Sequence, residues 1–275
     1  MNGSAQPAVC QFYRLIEGAP KPEPADRSAF GTLPVVAYSY CEPVAAASAW
    51  GWYIFPPLNF ALVWDGREIA WAYEGSSGWD PVRAVPYPDF IATFARIAPD
   101  HVSDTPPVFL SQGKLPGTVQ IWSGFLARTA PGWSLYSRGV VNLAQSDPYE
   151  DHETLQTEEQ DADALALDDA TPEYANFAGL IDTDTWFGPL FTNIRLMRTH
   201  SPVYFHMKKP LFQVQPVLRE CYRSPSFSIS EASDLTPEDW QRYELVARRN
   251  SDHMRRPGRY AADARRRIRR EDAPT

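Results

Sequence analysis

Apolar and polar residues alternate in short runs along most of this chain, and prolines, glycines and aspartates separate the runs. This pattern is typical of β-strands joined by turns. The runs that predict strands span residues 33–41, 60–64, 68–71, 108–110, 118–122, 124–128, 133–136, 140–143, 189–197 and 202–217. Asp65 and Gly66 lie between two of them, and Asp-Gly at that place predicts a hairpin with a type I′ turn. The pattern therefore predicts a mainly β fold.

Two segments have helical periodicity instead. In residues 87–97, apolar side chains recur at helical spacing: Phe90, Ile91, Phe94 and Ile97. Residues 235–249 predict a second helix, because Thr236 is a good N-cap, Pro237 suits the first helical position and Asp239 completes a capping box. Both helices are expected to lie at the periphery of the β fold.

The same pattern divides the chain into three parts. Residues 1–33 alternate Pro, Gly, Ala and charged residues and predict an extended arm, partly polyproline II. Residues 34–217 form the β domain, and residues 218–275 form a helical, Arg-rich extension. Within the β domain, residues 147–173 hold eleven Asp or Glu and predict a solvated or disordered insertion with a weak helix at 158–167. A metal site in this insertion is the alternative, although the spacing fits no calcium loop.

Composition changes this picture little. The 26 prolines among 275 residues disfavour a helical bundle. The net charge of −8 argues against non-specific binding of nucleic acid by the whole chain. Residues 255–270 are rich in arginine, and we interpret them as a solvated terminus that pairs with the acidic insertion, here or in a neighbouring subunit. An anion or nucleic-acid patch is the alternative, but Tyr260 is its only aromatic residue.

Cysteine usage and the N-terminus bear on the compartment. Cys10, Cys41 and Cys221 are widely spaced and form no CxxC motif, so a reduced cytoplasmic protein is expected. Residues 1–11 lack the basic and apolar regions of a signal peptide. No apolar run approaches the roughly 18 residues of a membrane helix, so no membrane partner is expected.

Residues 177–188 are the most informative stretch for function. They place Asp182 and Asp184 in a turn between two strand runs, together with Trp186 and two glycines. Carboxylates in such a turn, with glycines that let a ligand approach the backbone, predict a small-molecule site. A polar turn in which both carboxylates accept hydrogen bonds from backbone amides is an equally favoured interpretation.

Several of these motifs resemble a known superfamily. The segment 179–182, Gly188 and the segment 210–213 are similar to the third and fourth motifs of the dUTPase and dCTP deaminase superfamily. The segment 130–139 resembles its second motif, and 47–53 more faintly its first. Residues 115–217 are also similar, and more closely, to an uncharacterised bacterial and phage family. The resemblance implies a β-clip or distorted jelly-roll barrel of mostly antiparallel strands, often trimeric in the dUTPase branch.

The resemblance also implies roles for individual residues. Asp182 matches the acid that contacts the sugar 3′-hydroxyl and activates water in dUTPases. Ser137, Arg138 and Gly139 match the turn that binds phosphate. Trp186 lies one residue beyond the position of the tyrosine that stacks on the sugar.

Important parts of the dUTPase pattern are missing. Phe187 stands where the third motif has arginine, and 51–54 lack the aspartate that helps to hold Mg²⁺. Residues 208–210 replace Gly-Asp-Arg, and the glycine-rich C-terminal arm is absent. The resemblance therefore implies a related fold with altered chemistry.

Other constellations are weaker. His200 and His206 flank a predicted strand and, with Asp182 or Asp184, would form a non-haem iron triad, although ordinary strand-end histidines are favoured. No Ser nucleophile elbow, P-loop or G-x-G-x-x-G motif is present. Most of the nine tryptophans are expected in the core, and the ones at turns near a flat or apolar ligand.

The leading hypothesis is a bacterial, cytoplasmic, homo-oligomeric enzyme that acts on a nucleotide-like substrate or in the biosynthesis of a specialised metabolite, with reaction and cofactor unassigned. Its acid/base groups would be Asp182 and Asp184. Ser137 and Arg138 would hold an anionic group, and Trp133 and Trp186 would stack on the substrate. One alternative is a non-catalytic ligand-binding or structural oligomer, and another is a metal-dependent oxygenase. Nucleic acid is not an expected partner.

Overall fold

The computed structural model describes residues 8–99, 101–102, 105–143, 172–224 and 227–253, together with Ala262 and Arg266. The elements as far as residue 97 are β1 (Cys10–Arg14), β2 (Glu23–Pro24), α1 (Val35–Tyr40), α2 (Glu42–Ser48), β3 (Trp52–Ile54), β4 (Phe60–Trp64), β5 (Ile69–Tyr73), β6 (Asp80–Pro81), β7 (Ala84–Pro86) and α3 (Phe90–Ile97). They are followed by β8 (Val108–Gln112), β9 (Thr118–Thr129), β10 (Trp133–Arg138), β11 (Tyr174–Asn176), β12 (Gly179–Ile181), β13 (Gly188–Leu196), β14 (Val203–Phe205), β15 (Phe212–Leu218), α4 (Glu220–Arg223) and α5 (Pro237–His253).

The strands pair antiparallel in three sheets. The first sheet has the order β11-β13-β9-β8-β7, and β1 also pairs with β9. The second has the order β12-β10-β15-β3-β2, and the third β14-β4-β5-β6. The predicted mainly β fold is confirmed, and the described strands form open sheets without a closed barrel. The finer assignment to a β-clip or jelly roll stays a prediction.

One apolar core joins the three sheets. Along β13 its side chains alternate with outward residues, which is the period-2 pattern read from the sequence. Its deeply buried members include Ile54, Leu62, Phe109, Ile121, Ile194 and Phe212, each at most 1% exposed. Burial of one such side chain contributes about 1.5–3 kcal/mol, so this core is the main source of stability.

Strand β9 runs unbroken through the two strands predicted there because an irregularity absorbs its bend. Its register with β13 shifts between Pro189 and Phe191. Gly124 has φ +84°, and the Ser123 hydroxyl donates to the Leu190 carbonyl at 2.8 Å. The Ser123 hydroxyl thus supplies a hydrogen bond to β13 where the register shifts, and Gly124 adopts the backbone conformation that the irregularity needs.

Several local predictions are wrong. The predicted strand 140–143 is a turn, in which the Leu143 amide donates to the Val140 carbonyl at 3.4 Å. The predicted strand 33–41 is helix α1, which Pro34 precedes with φ −55° and in which Val35 and Val36 are exposed. Six residues without alternation have no buried face to fix them as a strand, so β propensity does not decide their structure. In the β4–β5 hairpin, Gly66 has positive φ and Asp65 does not, whereas a type I′ turn with these two central residues needs positive φ at both.

The ends of the chain are partly integrated into this fold. The segment predicted as an arm contributes β1 and β2 to two sheets, and its Ile16 and Ala19 are buried with α3. The predicted polar loop 218–235 contains α4 and a 3₁₀ turn. The insertion (except 172–173), its weak helix 158–167 and most of the Arg-rich tail lie outside the described residues.

Helix α5 confirms its sequence signals. Thr236 Oγ1 accepts from the Asp239 amide at 3.2 Å, and Asp239 Oδ2 accepts from the Thr236 amide at 3.1 Å. This reciprocal pair is the predicted capping box. No helix in the described part of the chain is long and apolar enough to cross a membrane.

Candidate functional site

Asp182 and Asp184 lie in the turn that follows β12. The Trp186 amide donates to the Asp182 carbonyl at 2.8 Å, so the chain makes one helical turn here. Thr183, between the two acids, is 1% exposed, and its hydroxyl lies 2.8 Å from that of Thr129. The buried threonine anchors the turn to the end of β9 and leaves an acid on either side.

Hydroxyl groups and guanidinium groups surround the Asp182 carboxylate. Oδ1 accepts from Ser134 Oγ at 2.8 Å and from the Tyr222 hydroxyl at 2.6 Å. Arg223 Nη2 donates to Oδ2 at 2.5 Å, and Arg219 Nε lies 3.3 Å from Oδ1. The Asp182 side chain is 30% exposed, so it is reachable from water but fully engaged.

Asp184 is more deeply enclosed. Its side chain is 7% exposed, and its Oδ1 is ion-paired with Arg219 Nη2. Oδ2 accepts from the Gly132 amide at 2.9 Å. The polar-turn interpretation expects such a backbone donor for both carboxylates, and Asp184 has one. Arg219, whose side chain is 16% exposed, therefore bridges both acids and ties α4 to the turn. We call this group the acid–arginine cluster: Ser134, Asp182, Asp184, Arg219, Tyr222 and Arg223.

These contacts set the protonation of Asp182. The Tyr222 and Ser134 hydroxyls donate to its carboxylate, and with the nearby charges of Arg219 and Arg223 they hold the pKa of Asp182 well below its usual range, against a smaller opposing effect of desolvation. Asp182 is thus ionised at neutral pH. A carboxylate with so low a pKa is a weak general base and a poor proton donor at that pH.

The cluster predicts a specific pH dependence of stability. A folded-state pKa below the unfolded value means that the stabilisation is complete above the unfolded pKa of about 4 and is lost as pH falls through the folded pKa. Asp182→Asn should therefore lower Tm by a constant amount between about pH 5 and pH 8, and by progressively less below about pH 4. Circular dichroism melting at a series of pH values measures this difference.

Glu220→Gln is the matched control for that series. Glu220 is exposed on α4, beside the cluster, and its variant should melt like the wild type throughout. A Tm loss for Asp182→Asn that stays unchanged down to about pH 2 would contradict an ionised, paired Asp182.

The structure separates the other predicted site residues. Trp133 lies between Gly132 and Ser134, which contact the two acids, and Trp186 is 47% exposed with its ring packed against Gly188. Ser137 is 4% exposed in the ladder at the other end of β10, and the Arg138 guanidinium is 5.6 Å from the centre of the Tyr136 ring. Among the described residues, no hydrogen bond or ion pair joins Ser137 or Arg138 to the acids.

The metal and nucleophile alternatives gain no support. Among the described residues, no group of three or more His, Cys, Asp or Glu is placed to hold a metal ion, so His200 and His206 have no ligand set there. Burial raises the pKa of Cys10 to about 12, so its thiol stays protonated at neutral pH.

Sequence reasoning missed the basic half of the acid–arginine cluster. Arg219, Tyr222 and Arg223 lie in a segment predicted to be loop. Their spacing of i, i+3 and i+4 places them on one face of a short helix, and that spacing was the available signal.

A second candidate site lies on the outer face of the third sheet. The register pairs Tyr204 with Ala61 and Ala61 with Ala72. Trp79 precedes Asp80, which pairs with Trp71, so Trp79 falls beside Ala72 on the same face. Tyr204 is 61% exposed and Trp79 45% exposed. Two alanines thus form a floor between two large aromatic walls.

This concavity, which we call the aromatic groove, has a volume of about 410 Å³. Two residues further along each strand, the same alternation places His206, Asn59 and Glu74 in a second row on this face. All three line the groove. Ser76 Oγ accepts from the Tyr73 amide at 3.2 Å and donates to the Gly78 carbonyl at 3.1 Å, which fixes the turn that carries Trp79. The groove therefore has an aromatic row and a polar row.

A second concavity, of about 590 Å³, lies between residues 25–28 and α1. Its polar groups are already engaged. Arg27 donates to both oxygens of Glu42, at 2.7 and 2.9 Å, and Asp26 Oδ1 accepts from the Ser28 amide at 2.7 Å. It offers a ligand fewer free partners than the aromatic groove does.

The groove corrects the sequence-based placement of the tryptophans. Of the nine, Trp71 and Trp122 are buried, Trp52 and Trp64 are half-buried and pack against the core, and the other five are half-buried or exposed. Trp79 has a turn position like those of Trp133 and Trp186, and this was the available signal for a ligand-facing ring.

Comparison with known proteins adds no family to this picture: no protein-family model matches the chain, and no curated protein matches it. The dUTPase-like resemblance remains a prediction.

Proposed function

We propose that this chain is a non-catalytic, small-molecule-binding protein whose ligand occupies the aromatic groove. One observation carries the proposal: the row Tyr204, Ala61, Ala72 and Trp79 places a small floor between two exposed aromatic walls. Ligand sites in proteins are concave, mostly apolar, and have a few polar groups that orient the ligand. The groove has each of these properties.

The dimensions suit a ligand of one or two rings. Neighbouring strands lie about 4.8 Å apart, so the backbones that carry the two walls are separated by three strand spacings, or roughly 14 Å. Stacking on an aromatic face contributes about 0.5–1.5 kcal/mol beyond the area buried. His206, Asn59 and Glu74 then supply polar contacts at one end.

The acid pair supports a structural role rather than a catalytic one. The enzyme hypothesis needs Asp182 or Asp184 to exchange a proton or to orient a substrate, yet each carboxylate is paired with arginine. We therefore propose that the acid–arginine cluster fastens α4 to the turn after β12. The enzyme on a β-clip barrel and the homo-oligomer stay predictions. If an activity is found, full turnover by Asp182→Asn would remove the catalytic role of that acid.

The proposal is tested by ligand binding to paired tryptophan variants. Ligand-observed NMR with a panel of neutral, cationic and anionic ring compounds identifies binders of the full chain. Trp79→Ala should weaken the binders by roughly tenfold or more, because one wall of the groove is lost. Trp50→Ala is the matched control, since Trp50 is 46% exposed and does not line the groove.

Two outcomes would contradict the proposal. One is a set of binders whose affinity is unchanged in both Trp79→Ala and Tyr204→Ala. The other is binding that Asp182→Asn abolishes and Trp79→Ala leaves intact, since that would move the site to the turn after β12.

A further inference from the structure

We infer that the aromatic groove takes an organic cation, namely a quaternary or tertiary ammonium group that packs against the Trp79 ring and is neutralised by Glu74. This inference rests on the proposed function of the groove and names the chemical class of its ligand.

The charge of the groove favours a cation. Glu74 is the only Asp, Glu, Lys or Arg that lines the groove. Its side chain is exposed, and no hydrogen bond or ion pair with another described residue engages it. The groove therefore carries one unneutralised carboxylate and no fixed positive charge from Lys or Arg. An anionic ligand would be repelled, whereas a cation would gain a partner.

The aromatic walls also favour a cation. A cation near an aromatic face is attracted by the ring quadrupole, most strongly for tryptophan. Trp79 presents such a ring beside Ala72, and Tyr204 presents a second ring across the alanine floor, where the rest of the ligand can pack. An aromatic face and a carboxylate are therefore present on the same face of the sheet.

The floor of the groove is apolar. Ala61 and Ala72 offer methyl groups between the rings, without a polar atom from either side chain. The methyl groups of a quaternary ammonium pack well on such a surface, while a primary ammonium is compact and strongly hydrated and would lose water there. The alanine floor thus favours alkylated amines over lysine-like ones.

Choline and 3,3-dimethylbutan-1-ol test the inference directly, because they have the same shape and differ in a charged nitrogen against a neutral carbon. Isothermal titration calorimetry on the full chain should show choline binding at least about tenfold tighter than the neutral alcohol. Glu74→Gln should weaken choline by roughly tenfold, and added salt should weaken it in the wild type. Glu68→Gln is the matched control, since Glu68 is exposed at the other end of the same hairpin and does not line the groove.

The outcomes separate this inference from the proposed function. Equal affinity for the two compounds, with both lost in Trp79→Ala, would overturn the cation and keep the groove as a ligand site. The cation would also be overturned, and the groove kept as a ligand site, if choline does not bind and a neutral or anionic ring compound binds in a Trp79-dependent manner. If no compound of any charge binds in a Trp79-dependent manner, the proposed function fails and this inference fails with it.

Discussion

Gln213→Leu is expected to lower the free energy of unfolding by about 2–6 kcal/mol, because the fully buried Gln213 side-chain amide hydrogen-bonds to two separate segments of the chain. Its Nε2 donates to the Ser48 carbonyl at 3.1 Å and to the Trp50 carbonyl at 2.7 Å. Its Oε1 accepts from the Val141 amide at 2.9 Å. Leucine has nearly the right size but would leave two of these backbone groups buried without a partner.

The Trp50 carbonyl is the exception, since it also accepts from Gln215 Nε2 at 3.1 Å and keeps that bond in the variant. The two groups that become unpaired, the Ser48 carbonyl and the Val141 amide, cost about 1–3 kcal/mol each. The expected range for Gln213→Leu follows from these two groups.

Equilibrium urea unfolding of two further variants completes this test. Gln213→Glu keeps an acceptor for Val141 but turns a carboxylate toward two carbonyls, so its loss should be at least as large as that of leucine. Gln120→Leu, on the half-exposed face of β9, should change stability by no more than about 0.5 kcal/mol. If the free energy of unfolding of Gln213→Leu lies within about 1 kcal/mol of the wild-type value, the hydrogen bonds of the Gln213 amide do not stabilise the fold as its contacts indicate.

The role of Gln213 shows how far a motif can be interpreted from sequence. The segment 210–213 carried part of the dUTPase-like resemblance, but its residue types do not say what the glutamine contacts. Its three partners lie on two segments distant in sequence, so only the folded chain brings them to one amide. A buried polar residue with complete hydrogen bonding serves structure as readily as chemistry.

Local signals, by contrast, were sufficient for much of the fold. The β4–β5 hairpin, strand β9 and helix α5 were predicted because alternation, an Asp-Gly turn and a capping box act over a few residues. Helix α1 was missed because its apolar run has no alternation, and only tertiary contacts decide its state. Strand β1 was also missed, because its pairing with β9 is a long-range contact that no local pattern indicates.

The two sites depend on long-range geometry to different degrees. Asp182 and Asp184 were identified as a pair, but their partners Arg219 and Arg223 come from a helix after β15, and those partners change the interpretation of the acids. The aromatic groove depends on the register of three strand pairings, which places Tyr204 and Trp79 on one face. A shift of one residue in any pairing would turn one wall to the other face of the sheet.

Gly51→Ala is the other change with a large expected effect, about 2–5 kcal/mol, because glycine is required there for two independent reasons. Gly51 has φ +98°, which costs an L-residue about 1–2 kcal/mol. An added Cβ would also lie 2.0 Å from the Val214 carbonyl oxygen. That oxygen belongs to the backbone of β15, so β3 and β15 must separate to make room, at a cost of about 1–3 kcal/mol.

Gly31→Ala separates these two causes. Gly31 has φ +78°, and an added Cβ there meets no atom within 4 Å, so its variant should show the backbone cost alone, about 1–2 kcal/mol. Urea unfolding of both variants should therefore give a greater loss for Gly51→Ala, and the excess measures the close approach of the two strands. Equal losses would mean that β3 and β15 accommodate a methyl group where Gly51 approaches Val214. The segment that places Ser48 and Trp50 against Gln213 would then be less tightly packed than these distances indicate.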